Sequence, residues 1–251
     1  MSDLVSLFIF DYSSLAQEQL ELFAQNLGRN QQAKLIEINA RKRNEFICSR
    51  ALLSYCLNKI HSKKDQVWEI IERPQLPPHI KFADELNIRF SISHQQSMLG
   101  IAVAKSTKKL GFDIQQIKTF SSFQTALIFA ENFCSEPELK SLQRYVNEDL
   151  HRLAIEITRL WTLKEAFFKA QLRGIYNPNL KKTNFSVCTN SQAHGFSNHC
   201  FDSDKKHFQI AIVNETNSPI ESYQVSILNE EFEINNLRFD ALWQGFKNIE
   251  I

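Results

Sequence analysis

Four stretches carry side chains whose types and spacing could do chemistry. The first is Leu160–Ala170, LWTLKEAFFKA. It lacks Gly and Pro and is rich in Leu, Ala, Lys and Glu, which predicts a helix. At about 100° per residue, Trp161, Lys164, Glu165, Phe168 and Lys169 share one arc. Leu160, Leu163, Ala166, Phe167 and Ala170 fill the opposite side, which suits burial. An ordinary exposed face scatters its charges; this one sets a carboxylate between two ammonium groups. The plainer reading is a solvated Glu165–Lys169 pair, worth a few tenths of a kcal/mol. The second stretch is Leu110–Ile114, LGFDI, with Asp113 inside an apolar run. A lone buried carboxylate is costly, so it implies a metal or a strong positive partner. The third is the basic cluster Arg41, Lys42 and Arg43, with Arg50 further on. Such a cluster reads as a solvated face or as a phosphate site. The fourth is RFSISH, where His94 ends a strand-like run.

These residues need elements to hold them. Leu4–Phe10 is a short apolar run that fits a buried strand. Ser14 with Gln17 resembles a capping box opening a helix, and Gly28 marks its expected end. A second helical region follows, and from Asn44 to Ile60 Phe46, Leu52, Leu53, Cys56 and Ile60 keep mostly helical spacing. Arg73–Pro78 (RPQLPP) is a turn or extended link. Arg89–Ser93, Leu99–Ala104 and Leu110–Ile114 alternate and are closely spaced, predicting antiparallel neighbours. Helical sequence resumes near Phe120. Ser135 with Glu138 signals another helix start, and a long helix is expected from about Asn147 into the first stretch. Gly174–Asn179 breaks it, and strands are expected at Phe185–Val187, Phe208–Val213 and Tyr223–Leu228. The pairs FSIS/LGIAVA and FSVC/FQIAIV echo one another, which permits two similar lobes.

Composition narrows the function classes. The chain has 251 residues and is 43% apolar, enough for a real core. A net charge of +1 gives no global field toward nucleic acid or membrane. Apolar runs are far too short for a bilayer span, and the opening MSDLVSLFIF lacks the basic start of a signal peptide. Five scattered cysteines without CxxC suit free, structural thiols in a reducing compartment. The expectation is a soluble, cytoplasmic monomer without nucleic-acid or membrane partners. His194, His199 and Cys200 lie in polar, irregular sequence that argues against a metal site. P-loop, dinucleotide-binding and nucleophile-elbow motifs are absent.

Taken in order, the Arg41–Arg50 block, SISH ending at His94, GFDIQ at Gly111–Gln115 and WTLKEAFFKA resemble the 4′-phosphopantetheinyl transferases, specifically the larger two-lobed, Sfp-like type. The resemblance runs from about residue 34 to 187. It implies an α+β fold of two similar lobes packed as a pseudo-dimer, residues 1–109 on the coenzyme A side and 110–251 with the metal motif and catalytic helix. It implies Mg²⁺-dependent transfer of 4′-phosphopantetheine from coenzyme A to a serine of an acyl or peptidyl carrier protein.

Residue by residue, the resemblance puts Asp113, Gln115 and Glu165 at the metal. Lys164 and Lys169 would touch the coenzyme A phosphates, with Asp113, Glu165 and Lys169 forming the catalytic set. Ser93 and His94 would sit at the 3′-phosphate, near Arg41, Arg43, Arg50, Arg73 and Pro74. Glu138 falls where the family often has an acid. The apolar and basic segment Gln171–Lys182 is expected to meet the carrier. Gln115 stands where the family has Glu, Gln95 where it has a second Ser, and Arg73 lacks the preceding Gly. The alternative is a degenerate relative that binds coenzyme A or a carrier without catalysis. Glu165, flanked by two cations and a metal, is expected to keep a low pKa.

Overall fold

The computed structural model describes residues 4–61, 68–72, 78–81, 83, 85–105, 109–146, 148–171, 180–185, 196–203, 206–214, 220–228 and 231–236. The chain runs β1 (Val5–Asp11), α1 (Gln17–Gln25), α2 (Arg29–Glu37), α3 (Ala40–His61), β2 (Ile70–Ile71), β3 (His79–Ile80), β4 (Ile88–Gln95) and β5 (Met98–Lys105). It continues β6 (Leu110–Gln116), α4 (Phe123–Glu131), α5 (Glu136–Gln143), α6 (Leu150–Ala170), a 3₁₀ turn (Leu180–Lys182), β7 (Phe196–Ser203), β8 (Lys206–Asn214), β9 (Ile220–Leu228) and β10 (Glu231–Asn236). This is a mixed α+β fold with small sheets and, among the described residues, six α-helices. They fall into two compact units, one within Met1–Thr107 and Pro219–Arg238, the other within Lys108–Ser218 and Phe239–Ile251.

In the first unit the sheet order is β10-β9-β1-β5-β4. Val5 to Phe10 are all buried, as a continuous apolar run requires when both faces are covered. β1 pairs antiparallel with β5 and parallel with β9. β4 and β5 form the expected hairpin, turning at Gln96, whose φ of 56° is left-handed. α3 covers the sheet with Phe46, Leu52, Leu53 and Cys56, packed in one core with Leu99, Ile101 and Val103. The sequence places α3 from Asn44; it begins at Ala40, where the Asn39 side chain accepts from the Arg41 backbone N–H at 3.0 Å. Gly28 opens α2, with φ −60°, where the sequence places it at the end of α1. Its backbone N–H is taken by the Gln31 side chain at 2.8 Å, so the glycine starts a helix here. Likewise Ala16, not Ser14, precedes α1, with the Gln19 side chain reaching back to its N–H.

In the second unit the order is β6-β8-β7, all antiparallel. β6 is therefore not the third neighbour of the β4–β5 hairpin; its partner is β8, with Asp113 opposite Ala211. α6 lies on β6 and β8, and α4 and α5 pack on α6. Asp149 caps α6 by accepting from the His151 and Arg152 N–H groups. Ser135 opens α5 as expected, its backbone N–H bonded to Glu138 at 2.7 Å. Strands β9 and β10, which the expected 110–251 lobe would include, hydrogen-bond into the first unit's sheet. Their alternating apolar residues, Val225 among them, complete that core. Cys48, Cys56 and Cys134 are free and buried. Burial pushes the Cys48 and Cys134 thiols up to about 12, which leaves them inert.

Candidate active site

The second unit is built on a close approach of strand to helix. A Cβ at Gly111 would lie 1.9 Å from the Ala166 carbonyl oxygen and 2.6 Å from the Ala170 nitrogen. Only glycine lets β6 come this near α6. Side chains alternate along a strand, so Gly111, Asp113 and Gln115 share the face turned to α6. Ala166 and Ala170 each follow a charged residue, Glu165 and Lys169. The glycine contact thus brings Asp113 level with Lys169.

The geometry that results is compact. Lys169 Nζ donates to Asp113 Oδ1 at 2.7 Å, and Gln115 Nε2 donates to Asp113 Oδ2 at 3.0 Å. Asp113 is fully buried, while the Lys169 side chain is a quarter exposed (26%). Glu165 is buried, and its pKa rises from 4.5 to about 7. Desolvation is the largest cause and the Asp113 charge the next, with Lys169 and Lys118 opposing them. Without an ion the carboxyl thus sits above the low value expected of it with Mg²⁺ bound. The reason is that only one flanking cation, Lys169, faces it, and burial outweighs that help. Lys118, over the Phe129 ring at 5.0 Å, is a contributor that no sequence motif marks. Nothing distinguishes it in sequence except its place shortly after Asp113.

Two buried carboxylates of like charge, each raising the cost of the other, form a site that favours a cation. Their oxygens suit Mg²⁺, which takes one or two carboxylates plus phosphate and water. The described residues contain no cluster of three or more His, Cys, Asp or Glu side chains. Asp113 and Glu165 therefore fit a hard cation shared with a ligand rather than a closed metal cage.

Lys164 is elsewhere. Its ammonium is wholly buried, 2.9 Å from Glu138, and donates to the carbonyls of Leu180 at 2.8 Å and Thr183 at 2.6 Å. Of the arc expected to carry the charges, Lys164 and Phe168 are thus fully buried and Lys169 stays partly exposed, while Phe167, from the opposite side, is half-buried against Phe185.

Residues 109–228 match the model of the 4′-phosphopantetheinyl transferase superfamily. The match spans 120 of the 251 residues, and over that stretch the chain is similar to this superfamily. Phosphopantetheine transfer is the activity of that superfamily, with coenzyme A as its substrate and a divalent metal as its cofactor. No protein of curated function matches the chain. Among the described residues no helix is long and apolar enough to cross a membrane.

The matched residues hold Asp113, Gln115, Glu165 and Lys169 together, with Lys164 turned to a network of its own; the expected residues Arg41, Arg43, Arg50, Arg73, Pro74, Ser93 and His94 belong to the first unit. There Arg41, Lys42 and Arg43 are exposed in the first turn of α3. Arg43 Nη1 donates to the Leu35 carbonyl at 3.0 Å. His94 Nε2 lies 2.9 Å from Glu45 Oε1, joining β4 to α3, and Ser93 is buried beside it in sequence. Arg50 is buried and spoken for: it grips Glu72 through Nε at 2.5 Å and Nη2 at 3.0 Å, reaches Ser49 Oγ at 3.0 Å, and stacks 4.7 Å over the Phe46 ring. Arg73 and Pro74 lie outside the described residues, as do His194 and most of the expected carrier segment. Of that segment, Lys181 and Lys182 are exposed on the 3₁₀ turn.

Proposed function

We propose that the protein is a Mg²⁺-dependent, Sfp-like phosphopantetheinyl transferase that modifies a serine of an acyl or peptidyl carrier protein, acting as a holo-[acyl-carrier-protein] synthase. The observation that carries this reading is the Asp113–Lys169–Glu165 group inside the matched residues, its two carboxylates buried and its ammonium partly exposed. In the same reading the two units are the two lobes of that type, in the cytoplasm, as a monomer.

The chemistry follows from the side chains. The carrier serine oxygen attacks the β-phosphorus of coenzyme A, and the bond to the α-phosphate side breaks, releasing adenosine 3′,5′-bisphosphate. Asp113 and Glu165 would hold Mg²⁺, with Gln115 orienting Asp113, and the ion would supply charge neutralisation at the pyrophosphate. Lys169 lies where its ammonium spreads the charge of the leaving phosphate. Glu165 takes the serine proton at the carboxylate oxygen not holding the ion, geometry mattering here before basicity. Arg41, Arg43 and His94 bind coenzyme A phosphate, the histidine releasing Glu45 to do so. Lys181 and Lys182 meet the acidic surface of the carrier.

The deciding experiment incubates the protein with coenzyme A, Mg²⁺ and a panel of apo-carriers, then weighs the carriers. One phosphopantetheine mass gained on serine, only with divalent metal, is expected. Tight coenzyme A binding with no mass gain on any carrier overturns the enzyme and leaves a degenerate binder, the reading that Gln115 in place of an acid favours. Within the enzyme, Glu165→Gln and Glu165→Ala should each lose at least about 10²-fold in kcat. Near-normal turnover by Glu165→Ala would refute this placement of the active site.

A further inference from the structure

Lys164 stands beside Glu165 in sequence yet is engaged in a network of its own. An ammonium has three donors, and three acceptors surround this one: Glu138 Oε2 at 2.9 Å and the carbonyls of Leu180 and Thr183 at 2.8 and 2.6 Å. Glu138 is equally occupied. Its Oε2 accepts from the Ser135 N–H at 2.7 Å, and its Oε1 from the Phe185 N–H at 2.7 Å. The two side chains are 0% and 2% exposed. Together they tie three segments of the second unit: the start of α5, residues 180–185 and α6.

A phosphate could take Lys164 only by drawing it off two carbonyls and Glu138. That would strand a carboxylate in a dry site, which is far costlier than one more phosphate contact is worth. Consecutive residues on a helix are rigidly related, so any roll of α6 that frees Lys164 also carries Glu165 away from Asp113. Small displacements of reacting groups are expensive in rate.

We infer that Lys164 and Glu138 are positioning residues: they fix the roll of α6, hold Glu165 at Asp113, and make no contact with the phosphates of coenzyme A. This rests on the role given to Glu165 above. Lys164 and Lys169 share one helical arc; the network separates them into a brace and a ligand-facing cation.

Two measurements test the inference. In the first, wild-type protein is briefly acetylated with acetic anhydride, with and without coenzyme A, and the modified lysines are mapped by mass spectrometry. Lys164 should stay unlabelled in both, while Lys169 labels alone and is protected by coenzyme A. Labelling of Lys164 that coenzyme A suppresses would overturn the inference, and this arm needs no variant to fold. In the second, Lys164→Met, Glu138→Gln and their combination are compared. Each single change should lower kcat by about tenfold or more and leave the calorimetric Kd for coenzyme A within about threefold. The double variant should be little worse than the worse single, because both act through one network. A raised Kd for Lys164→Met, with effects that multiply in the double variant, would return Lys164 to the phosphates. Wild-type protein that transfers nothing to any carrier and binds no coenzyme A defeats the functional reading instead. Labelling without coenzyme A, and the same cycle read in stability, still report whether Lys164 and Glu138 are coupled.

Discussion

Helices α3 and α6 are of nearly equal length, 22 and 21 residues, and treat their charges in opposite ways. α3 sets Arg41, Lys42 and Arg43 in its exposed first turn, with no acid there, although the helix N-terminus is itself positive. α6 opens on an Asp cap and carries Lys164, Glu165 and Lys169 near its end, two of them buried. In α3 only Arg50 is internal, and it reaches across to Glu72. Charges inside α6 hold elements of its own unit in register. Charges at the start of α3 gain little from their own unit and suit an anion from outside.

Breaking the internal pairs should show the contrast most strongly. Lys164→Met leaves Glu138 charged and enclosed, and should cost about 4 kcal/mol of stability. Arg50→Met leaves Glu72, whose side chain is 18% exposed and can rehydrate, and should cost about 2 kcal/mol. Urea unfolding of both variants checks the order. Equal losses would mean that burial depth does not set the value of these pairs.

Gly111→Ala probes what brings β6 to α6. Its Cβ meets backbone, not a side chain that can turn away. Strand and helix must part, at about 3 kcal/mol or more. No glycine of α3 plays such a part, since that helix has none. A shift of the urea midpoint below the equivalent of 1 kcal/mol, on the order of overpacking that relaxes freely, would show that the approach is slack.

These two sites also mark where the sequence was legible. The long helix ending at Ala170 and the strand holding Asp113 each show one dominant pattern, and both form. The β4–β5 hairpin is likewise visible from its alternation and tight turn. The partner of LGFDI was not, because β8 lies far along the chain and nothing local specifies that register. The brace was hidden for a similar reason. Lys164 and Lys169 look alike on a helical wheel, and only α5 and residues 180–185 closing over one of them tells them apart. Gly111 appeared as a motif letter, and its steric necessity needs the helix backbone to be seen. The parallel β1–β9 pairing, made by residues near opposite ends of the described chain, has no sequence signature either.

A third test uses pH. Folding raises the Glu165 pKa from 4.5 to about 7, so the folded state holds this proton more tightly than the unfolded state does. Its contribution is full below pH 4.5 and is lost as pH rises through about 7. The loss amounts to up to about 3 kcal/mol. With metal chelated, wild-type protein should lose stability relative to Glu165→Gln between pH 5 and pH 8, a range taken to bracket roughly one full titration. Parallel curves would place Glu165 in a more polar setting than the one described.

The smallest effect belongs to the first turn of α3. Arg41 is exposed, and its backbone N–H, not its side chain, is what Asn39 caps. Arg41→Glu therefore keeps the cap, removes a cation from the positive helix end and adds an anion there. Stability should rise by about 0.5 kcal/mol, less at high salt. Coenzyme A affinity should fall in the same variant, because the added carboxylate repels phosphate. Arg41→Ala should lie between the two in both readouts. The opposed signs are the informative part: a residue that serves the fold loses stability when replaced, whereas one kept for an external anion gains it. A fall in melting temperature would mean that Arg41 has an acceptor within its own unit. Unchanged affinity with raised stability would mean that the cluster is a solvated face, and coenzyme A must then find its cations elsewhere.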